Sequence, residues 1–323
     1  MPRLVPPELV EPVVRGLVGA VDVDGGPTDV QLAVLRAVTT HLWARPDLDP
    51  ATVRPLGPTE TAAAITDPAA RRRFHTVLFT IEQCRHPLTA AQVNRVEEYA
   101  TALGIDGPDL VMFRDLVEQG RTRAAADFSR FFNAMIPARA EPSLRAMTER
   151  APAPDPALVA RLEALHELPE GSLGWSFTEF YRRAGIAMPG LDGSALDPLY
   201  VAHDMIHVIA GFAPTGEGEI ALGAFHVGMD DNPANSFAFL SPLIVHEAGF
   251  AGVDTIEQTA GTLSRPYAAE LLGRSMARGA ATTADFAFVD HFALAPRPLA
   301  EVRERFGVRP PEDPGDGHHL FWD

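Results

Sequence analysis

The segment Val201–Glu219, VAHDMIHVIAGFAPTGEGE, places two histidines and two acidic residues in and just after a predicted helix. His203, Asp204 and His207 share one helix face, because each residue advances an α-helix by about 100°. The other helix positions are mostly apolar, so we expect a buried helix with one polar stripe. Glu219 follows after eleven intervening residues, near the start of the next predicted helix. This set predicts a bound divalent cation, which would offset the cost of burying two carboxylates.

The composition indicates an ordinary globular protein. Apolar residues make up 46% of the chain and charged residues 22%, an apolar fraction above that of disordered chains. Because 323 residues exceed the usual size of one domain, we expect two domains, each with its own core. The net charge is −16 and lysine is absent, so no nucleic-acid partner is expected.

The chain carries no pattern typical of export. Cys84 is the single cysteine, so an internal disulfide is impossible and a reducing compartment is expected. The first residues do not resemble a signal peptide, and no apolar run approaches the ~18 residues of a spanning helix. We therefore expect a cytoplasmic protein whose membrane contact, if any, is peripheral and at the inner face.

Apolar residues recur at helical spacing along most of the chain, and no strongly alternating strand is found, so we expect an all-α fold. The predicted helices cover much of residues 28–132, including 74–85, one from Thr89 to Gly104, and 108–119. In the second half, helices are predicted from about residue 176, over 201–210, and over 217–227, 236–250, 255–277 and 299–306.

Five prolines between residues 137 and 156 interrupt the apolar periodicity. This composition is typical of a linker, which we assign to residues 137–155, with a short helix over 145–150. The predicted organisation is a helical domain over 1–136 and a second, metal-binding helical domain over 156–323.

Histidines one helical turn apart are common zinc ligands, and zinc is the first choice of metal for this set. Two histidines with carboxylates also suit iron or manganese. A carboxylate-rich site can open a position for water or substrate, whereas a closed structural site would more often use cysteine. The alternative is that His203 and Asp204 form a hydrogen-bonded core pair while Glu219 is a solvated residue at a helix start.

Two other motifs do not fit the sequence. Zinc proteases need His-Glu-x-x-His, but the second position here is Asp204, and His246-Glu247 lacks the second histidine. Phosphohydrolases that use a histidine–aspartate pair need a further upstream histidine, and nothing in the setting of His166 singles it out.

The pattern His203-Asp204-x-x-His207 with Glu219 resembles the signature of the coenzyme Q biosynthesis protein four family. The resemblance covers roughly residues 156–310. Three flanking segments are also similar to that family: LPEGSLG at 168–174, FYRRAG at 180–185 and PLAEVR at 298–303.

The resemblance implies an all-helical protein of ubiquinone biosynthesis that associates peripherally with a membrane. It implies a zinc-like ion held by His203, Asp204, His207 and Glu219 beside the quinone head, and a hydrophobic cavity for the polyprenyl tail. The family is credited with oxidative removal of the ring carboxylate and with organising other quinone-biosynthesis enzymes. The substrate stays open between a ubiquinone precursor and another prenylated quinone or aromatic acid. The alternative function is a non-catalytic scaffold that binds an isoprenoid lipid and has a structural metal.

Further candidates lie around the predicted ligands. Tyr200 and His226 are placed to orient them from a second layer, although ordinary packing also explains both. A set of apolar residues suits either an isoprenoid pocket or the core: Phe225, Phe237, Phe239, Leu240, Leu243 and Ile244.

The N-terminal half resembles the tellurite-resistance TerB helical domain more weakly, through residues 74–106. That domain's acidic metal-binding positions are not convincingly matched, so we interpret residues 1–136 as an interaction or regulatory module. The sequence leaves the choice between a monomer and a homo-oligomer open.

Overall fold

The computed structural model describes residues 5–147, 156–188, 198–253 and 256–322. Throughout these ranges the regular elements are helices, which confirms the predicted all-α class. The β-type pairing recorded there consists of isolated bridges between single residues. No helix in the described ranges is both long and apolar enough to cross a membrane.

The described residues form fifteen α-helices, and some of the connections contain a 3₁₀ or π turn. In chain order they are α1 (Pro7–Val21), α2 (Asp29–Ala37), α3 (Pro58–Ala64), α4 (Pro68–Gln83), α5 (Ala90–Leu103), α6 (Pro108–Glu118), α7 (Arg121–Arg139), α8 (Pro156–Glu163), α9 (Leu173–Ala184), α10 (Pro198–Ala210), α11 (Gly216–Met229), α12 (Pro233–Pro242), α13 (Ala268–Ala280), α14 (His291–Leu294) and α15 (Leu299–Phe306).

The chain divides into two compact units. The first contains Met1–Asn133 and Gly223–Ala280, and the second contains Ala134–Leu222 and Ala281–Asp323. The sequence placed residues 223–280 in the C-terminal domain, whereas they pack with the N-terminal helices, chiefly through α13 against α2 and the π turn Val38–Leu42 that follows it. The division into domains 1–136 and 156–323 stays a prediction about folding units, and the packing groups the residues differently.

The predicted linker is partly helical. Helix α7 continues through Pro137 to Arg139, and Pro142–Met147 forms a 3₁₀ helix where the sequence predicted a helix over 145–150. Pro137 has no N–H to donate, so this turn of α7 lacks one intrahelical hydrogen bond. Residues 148–155, which complete the predicted linker, lie outside the described residues.

Helix α5 begins and ends where the sequence predicted. The Thr89 hydroxyl accepts a hydrogen bond from the Gln92 N–H, and Gly104 ends the helix with a φ of 66°. The spacing Thr89-Ala-Ala-Gln92 also predicts a capping box, which the Gln92 side chain does not close. Its amide donates to the Ala20 carbonyl, and its Oε1 accepts from Gln31 and Arg85, so this side chain joins buried helices instead.

One helix was not predicted, and one predicted boundary is wrong. Helix α1 was not predicted, because two glutamates interrupt its apolar run, yet its other face is buried along its length. The predicted helix over 255–277 begins only at Ala268, after Pro266 and the positive φ of Tyr267. Its first part contains only the 3₁₀ turn Thr262–Ser264, and residues 254–255 lie outside the described ranges.

In the second unit, α10 is held by contacts at both its flank and its end. Its apolar residues Val201, Met205 and Ile206 are fully buried, and α10 packs against α9 and α15. The Arg303 guanidinium of α15 donates to the Ile209 and Val208 carbonyls in the last turn of α10. These bonds satisfy backbone acceptors that a helix end leaves unpaired, and they fix α10 relative to α15.

Glu82 is a buried acid in α4 of the first unit. Only 1% of its surface is exposed, and within the described residues its Oε2 has no hydrogen-bond partner. Burial, with the nearby negative charge of Asp109 second, raises the pKa of Glu82 well above its usual range. Such a group favours folding most when it is protonated, and stability is lost as the pH rises from its unfolded pKa towards its folded pKa.

Glu82→Gln cannot ionise, so only the wild type should lose stability as Glu82 titrates. We therefore expect the melting temperature of Glu82→Gln to rise relative to that of the wild type as the pH increases from about 4 to about 8. The matched control is Glu118→Gln on the exposed side of α6, for which the difference from the wild type should stay constant. Thermal unfolding followed by circular dichroism across this pH range measures both differences. A Glu82→Gln difference that does not change with pH would contradict the assignment.

Candidate metal centre

Helix α10 carries the predicted polar face. The ligand atoms of His203, Asp204 and His207 all lie within 4.8 Å of one another, close enough to share one ion. The centroids of the two imidazole rings are 4.7 Å apart. The ring of His207 is fully buried and lies against Phe180 of α9, at 5.3 Å between centroids. Burial on this side leaves the two histidines few alternative orientations.

The turn between α10 and α11 brings Glu219 to the two imidazoles. Glu219 lies in the first turn of α11, and its side chain is 21% exposed. Its Oε1 lies 3.1 Å from His207 Nε2, and its Oε2 lies 3.4 Å from His203 Nε2. The carboxylate therefore faces both rings, which differs from the alternative in which Glu219 is merely solvated.

Hydrogen bonds at the opposite ring nitrogens indicate which tautomer each histidine adopts. His207 Nδ1 lies 3.1 Å from the Phe212 carbonyl, which can only accept, so Nδ1 carries the proton. His203 Nδ1 lies 2.8 Å from Asp204 Oδ1 and donates to it in the same way. In the neutral rings both Nε2 lone pairs then point towards the Glu219 carboxylate. Lone pairs facing an anion repel unless a proton or a metal cation lies between them.

The ionisation of the site reflects this arrangement. Burial disfavours the charged form of His203, but the charge of Glu219 and hydrogen bonds to Asp204 and Glu219 outweigh it and raise its pKa to about 10. Burial acts to raise the pKa of Glu219, but the facing imidazoles hold it well below its usual range. The site thus favours a negative carboxylate and a positive charge beside it.

Tyr181 of α9 completes the surroundings of Asp204. Its hydroxyl donates a short hydrogen bond to Asp204 Oδ2, so both oxygens of this carboxylate accept a hydrogen bond. Burial, followed by the charge of Asp204, raises the pKa of Tyr181 well above its usual range and keeps the hydroxyl protonated. Tyr181 was not among the predicted site residues, although it lies within the segment FYRRAG that carried part of the family resemblance.

The C-terminal segment braces the turn that carries the Phe212 carbonyl. Leu320 N–H donates to the Gly211 carbonyl at 3.0 Å, and Ala213 N–H donates to the His318 carbonyl at 2.9 Å. Gly211 has a φ of 76°, and a Cβ added there would lie 1.9 Å from the indole nitrogen of Trp322. Glycine is therefore required at this position both for its backbone conformation and for the close approach of the indole ring.

The two predicted second-layer residues are placed differently. Tyr200 lies beside His203, with 6.5 Å between ring centroids in an edge-to-face arrangement. His226 is buried on α11, and its residue number falls in the first unit, whereas the ligand candidates belong to the second. An orienting role for either residue stays a prediction.

The predicted isoprenoid pocket residues belong to the first unit and are buried in its core. Phe237 packs against Phe131 and Phe132, and Phe239 packs against Phe79, with ring centroids 5.3–5.8 Å apart. These contacts match the alternative of core packing.

The chain is distantly similar to a solved structure. A crystal structure from Nostoc punctiforme, of a protein provisionally named as a ubiquinone biosynthesis protein, is 19% identical and covers 75% of this chain and 99% of its own, with a TM-score of 0.33. Nothing about the site follows from so low a score. No family model and no curated protein matches the chain, so the resemblance of the N-terminal half to the TerB domain gains no support.

The hydrogen bond from Tyr181 can be removed with little change in shape. In Tyr181→Phe, Asp204 Oδ2 loses its donor in a buried setting, and we expect the free energy of unfolding to fall by about 1–3 kcal/mol. Tyr267→Phe is the matched control, because this tyrosine is exposed, and it should change stability by less than about 0.5 kcal/mol. Chemical denaturation measures both values. Equal effects of the two substitutions would contradict the role given to Tyr181.

Proposed function

We propose that His203, His207 and Glu219 bind a divalent metal ion, with Asp204 either as a fourth ligand or as the acceptor that orients His203. The observation that carries the proposal is the direction of two imidazole Nε2 atoms towards one carboxylate, at 3.1 and 3.4 Å. The donor set of imidazoles and carboxylates fits zinc first, and iron or manganese as alternatives.

The surrounding residues have defined tasks in this proposal. Asp204 and the Phe212 carbonyl hold the Nδ1 protons of His203 and His207, which keeps both Nε2 lone pairs available. Tyr181 keeps its proton and anchors Asp204 from the other side. Arg303 holds the last turn of α10, so the spacing of the two histidines is set by a rigid helix.

We further propose that the chain acts in quinone biosynthesis on a prenylated aromatic acid or quinone precursor. The support is the motif His203-Asp204-x-x-His207 with Glu219, its flanking segments, and the convergence of these side chains. When bound, a divalent ion would supply Lewis-acid stabilisation of negative charge that develops on a ring oxygen or carboxylate. A polyprenyl tail would give the substrate its membrane association, and peripheral contact with the inner face of the membrane would give the protein access to it.

The proposed reaction replaces the ring carboxylate with a hydroxyl group. The bond between the ring carbon and the carboxylate breaks, a carbon–oxygen bond forms, and carbon dioxide leaves. The reaction balances when dioxygen is the oxidant and a two-electron donor provides two electrons and two protons, which leaves one water. In this scheme the chain's own residues bind and orient the aromatic acid.

The metal proposal predicts about one tightly bound metal per purified chain, measured by elemental analysis. His207→Ala should abolish binding and Glu219→Gln should weaken it by about tenfold or more, because each removes a ligand. His166→Ala is the control, since this histidine is exposed and lies outside the site. Wild-type protein that neither carries nor takes up zinc, iron or manganese would contradict the proposal.

The enzyme hypothesis and the scaffold hypothesis predict different effects in the cell when a metal-binding residue is replaced. In a strain that lacks the gene, we expect wild-type protein to restore the quinone product, and Glu219→Gln to leave the prenylated acid accumulated. Mass spectrometry of lipid extracts from the cells and from the purified proteins measures both. If Glu219→Gln restores the product while its melting temperature falls, the protein is a scaffold with a structural metal.

A further inference from the structure

The first unit contains an open cleft whose residues are separate from the candidate metal centre. Its volume is about 430 Å³, within the range of small-molecule sites. One wall is apolar: Phe113 and Phe250 meet edge to face with 6.0 Å between centroids, and Leu88, Leu116 and Val117 are half-buried beside them. Such a wall favours an apolar ligand body.

Arg121 provides a positive charge at this cleft. Its Nε donates to the Phe250 carbonyl at 3.3 Å. Within the described residues, its terminal nitrogens have no hydrogen-bond partner and its positive charge is not paired with a carboxylate. Arg123, two residues later, lies 3.0 Å from Asp115 and 3.2 Å from Asp127. The exposed guanidinium of Arg121 lies beside this apolar wall and can pair with an anionic group of a ligand.

Gln83 provides an acceptor at the same cleft. The residue is 2% exposed, and its amide Nε2 donates to the Phe79 carbonyl, which fixes the orientation of the amide group. Its Oε1 is buried and has no hydrogen-bond partner within the described residues. A buried acceptor without a donor is costly, so this atom indicates a ligand that donates a hydrogen bond.

The other polar side chains at the cleft are already occupied. The guanidinium of Arg85 donates to carbonyls of the α1–α2 connection and to Gln92. His86 Nε2 lies 2.8 Å from the buried carboxylate of Glu247, whose other oxygen accepts from a backbone N–H. A ligand can pair with the Arg121 guanidinium and with Gln83 Oε1, which these contacts leave open.

We propose that this cleft binds a small apolar carboxylic acid that also carries a hydroxyl group. The carboxylate pairs with the Arg121 guanidinium, and the hydroxyl donates to Gln83 Oε1. The apolar body lies against Phe113 and Phe250. This site is independent of the proposed metal centre, so the failure of one proposal leaves the other standing.

Isothermal titration calorimetry on the full chain tests the assignment with three probes. Para-hydroxyhydrocinnamate carries both polar groups, hydrocinnamate lacks the hydroxyl, and para-hydroxyphenylpropanol lacks the charge. We expect the first to bind the wild type most tightly, and each of the other two to bind about tenfold or more weakly. No binding of para-hydroxyhydrocinnamate at ~10 mM, or equal binding of the neutral alcohol, would overturn the proposal.

Substitutions locate the binding. Arg121→Gln should weaken the binding of para-hydroxyhydrocinnamate by about tenfold. The control Arg123→Gln, on the same helix, should leave the affinity for this acid unchanged. Gln83→Met should remove the advantage of the hydroxylated acid over hydrocinnamate. Equal losses in the two arginine variants, or an unchanged affinity in Arg121→Gln, would refute this site. The arginine comparison decides the question even where Gln83→Met is poorly folded.

Discussion

The second unit depends on one electrostatic constraint, in which two largely buried imidazoles and one carboxylate require a positive charge between them. His207 is completely buried, and both histidines use Nδ1 for hydrogen bonds that leave Nε2 directed at Glu219. In a partly desolvated site this arrangement is stable only with a bound cation or a shared proton. The raised pKa of His203 shows that, without a bound cation, a proton on this imidazole supplies the positive charge.

The rest of the second unit holds these groups in place. Helix α10 supplies the histidines from a fixed register, Arg303 satisfies carbonyls of its last turn, and the C-terminal segment fixes the turn that carries the Phe212 carbonyl. Tyr181 and His203 share the two oxygens of Asp204. A site built on a packed helix and a braced turn is preorganised, because little conformational freedom remains to be lost when a ligand binds.

Local patterns made part of this structure predictable. The helical class, the cap at Thr89 and the shared face of His203 and His207 follow from spacing within a few residues. The hydrogen bond from Tyr181 to Asp204 and the contact of Trp322 with Gly211 join residues that are far apart in the sequence. Such contacts cannot be predicted from the spacing of residues within one helix. The packing of residues 223–280 with the N-terminal helices likewise joins segments that are far apart in the sequence. Helix α1 was missed because two exposed glutamates masked its apolar face.

X-ray absorption spectroscopy on the metal-loaded protein tests the central claim most directly, because it reports the atoms around the ion itself. The account predicts two imidazole nitrogens at about 2.0–2.1 Å and at least one carboxylate oxygen at about 2.0–2.2 Å in a zinc-loaded sample. A shell of water oxygens without imidazole scattering, or one containing the sulfur of Cys84, would contradict it.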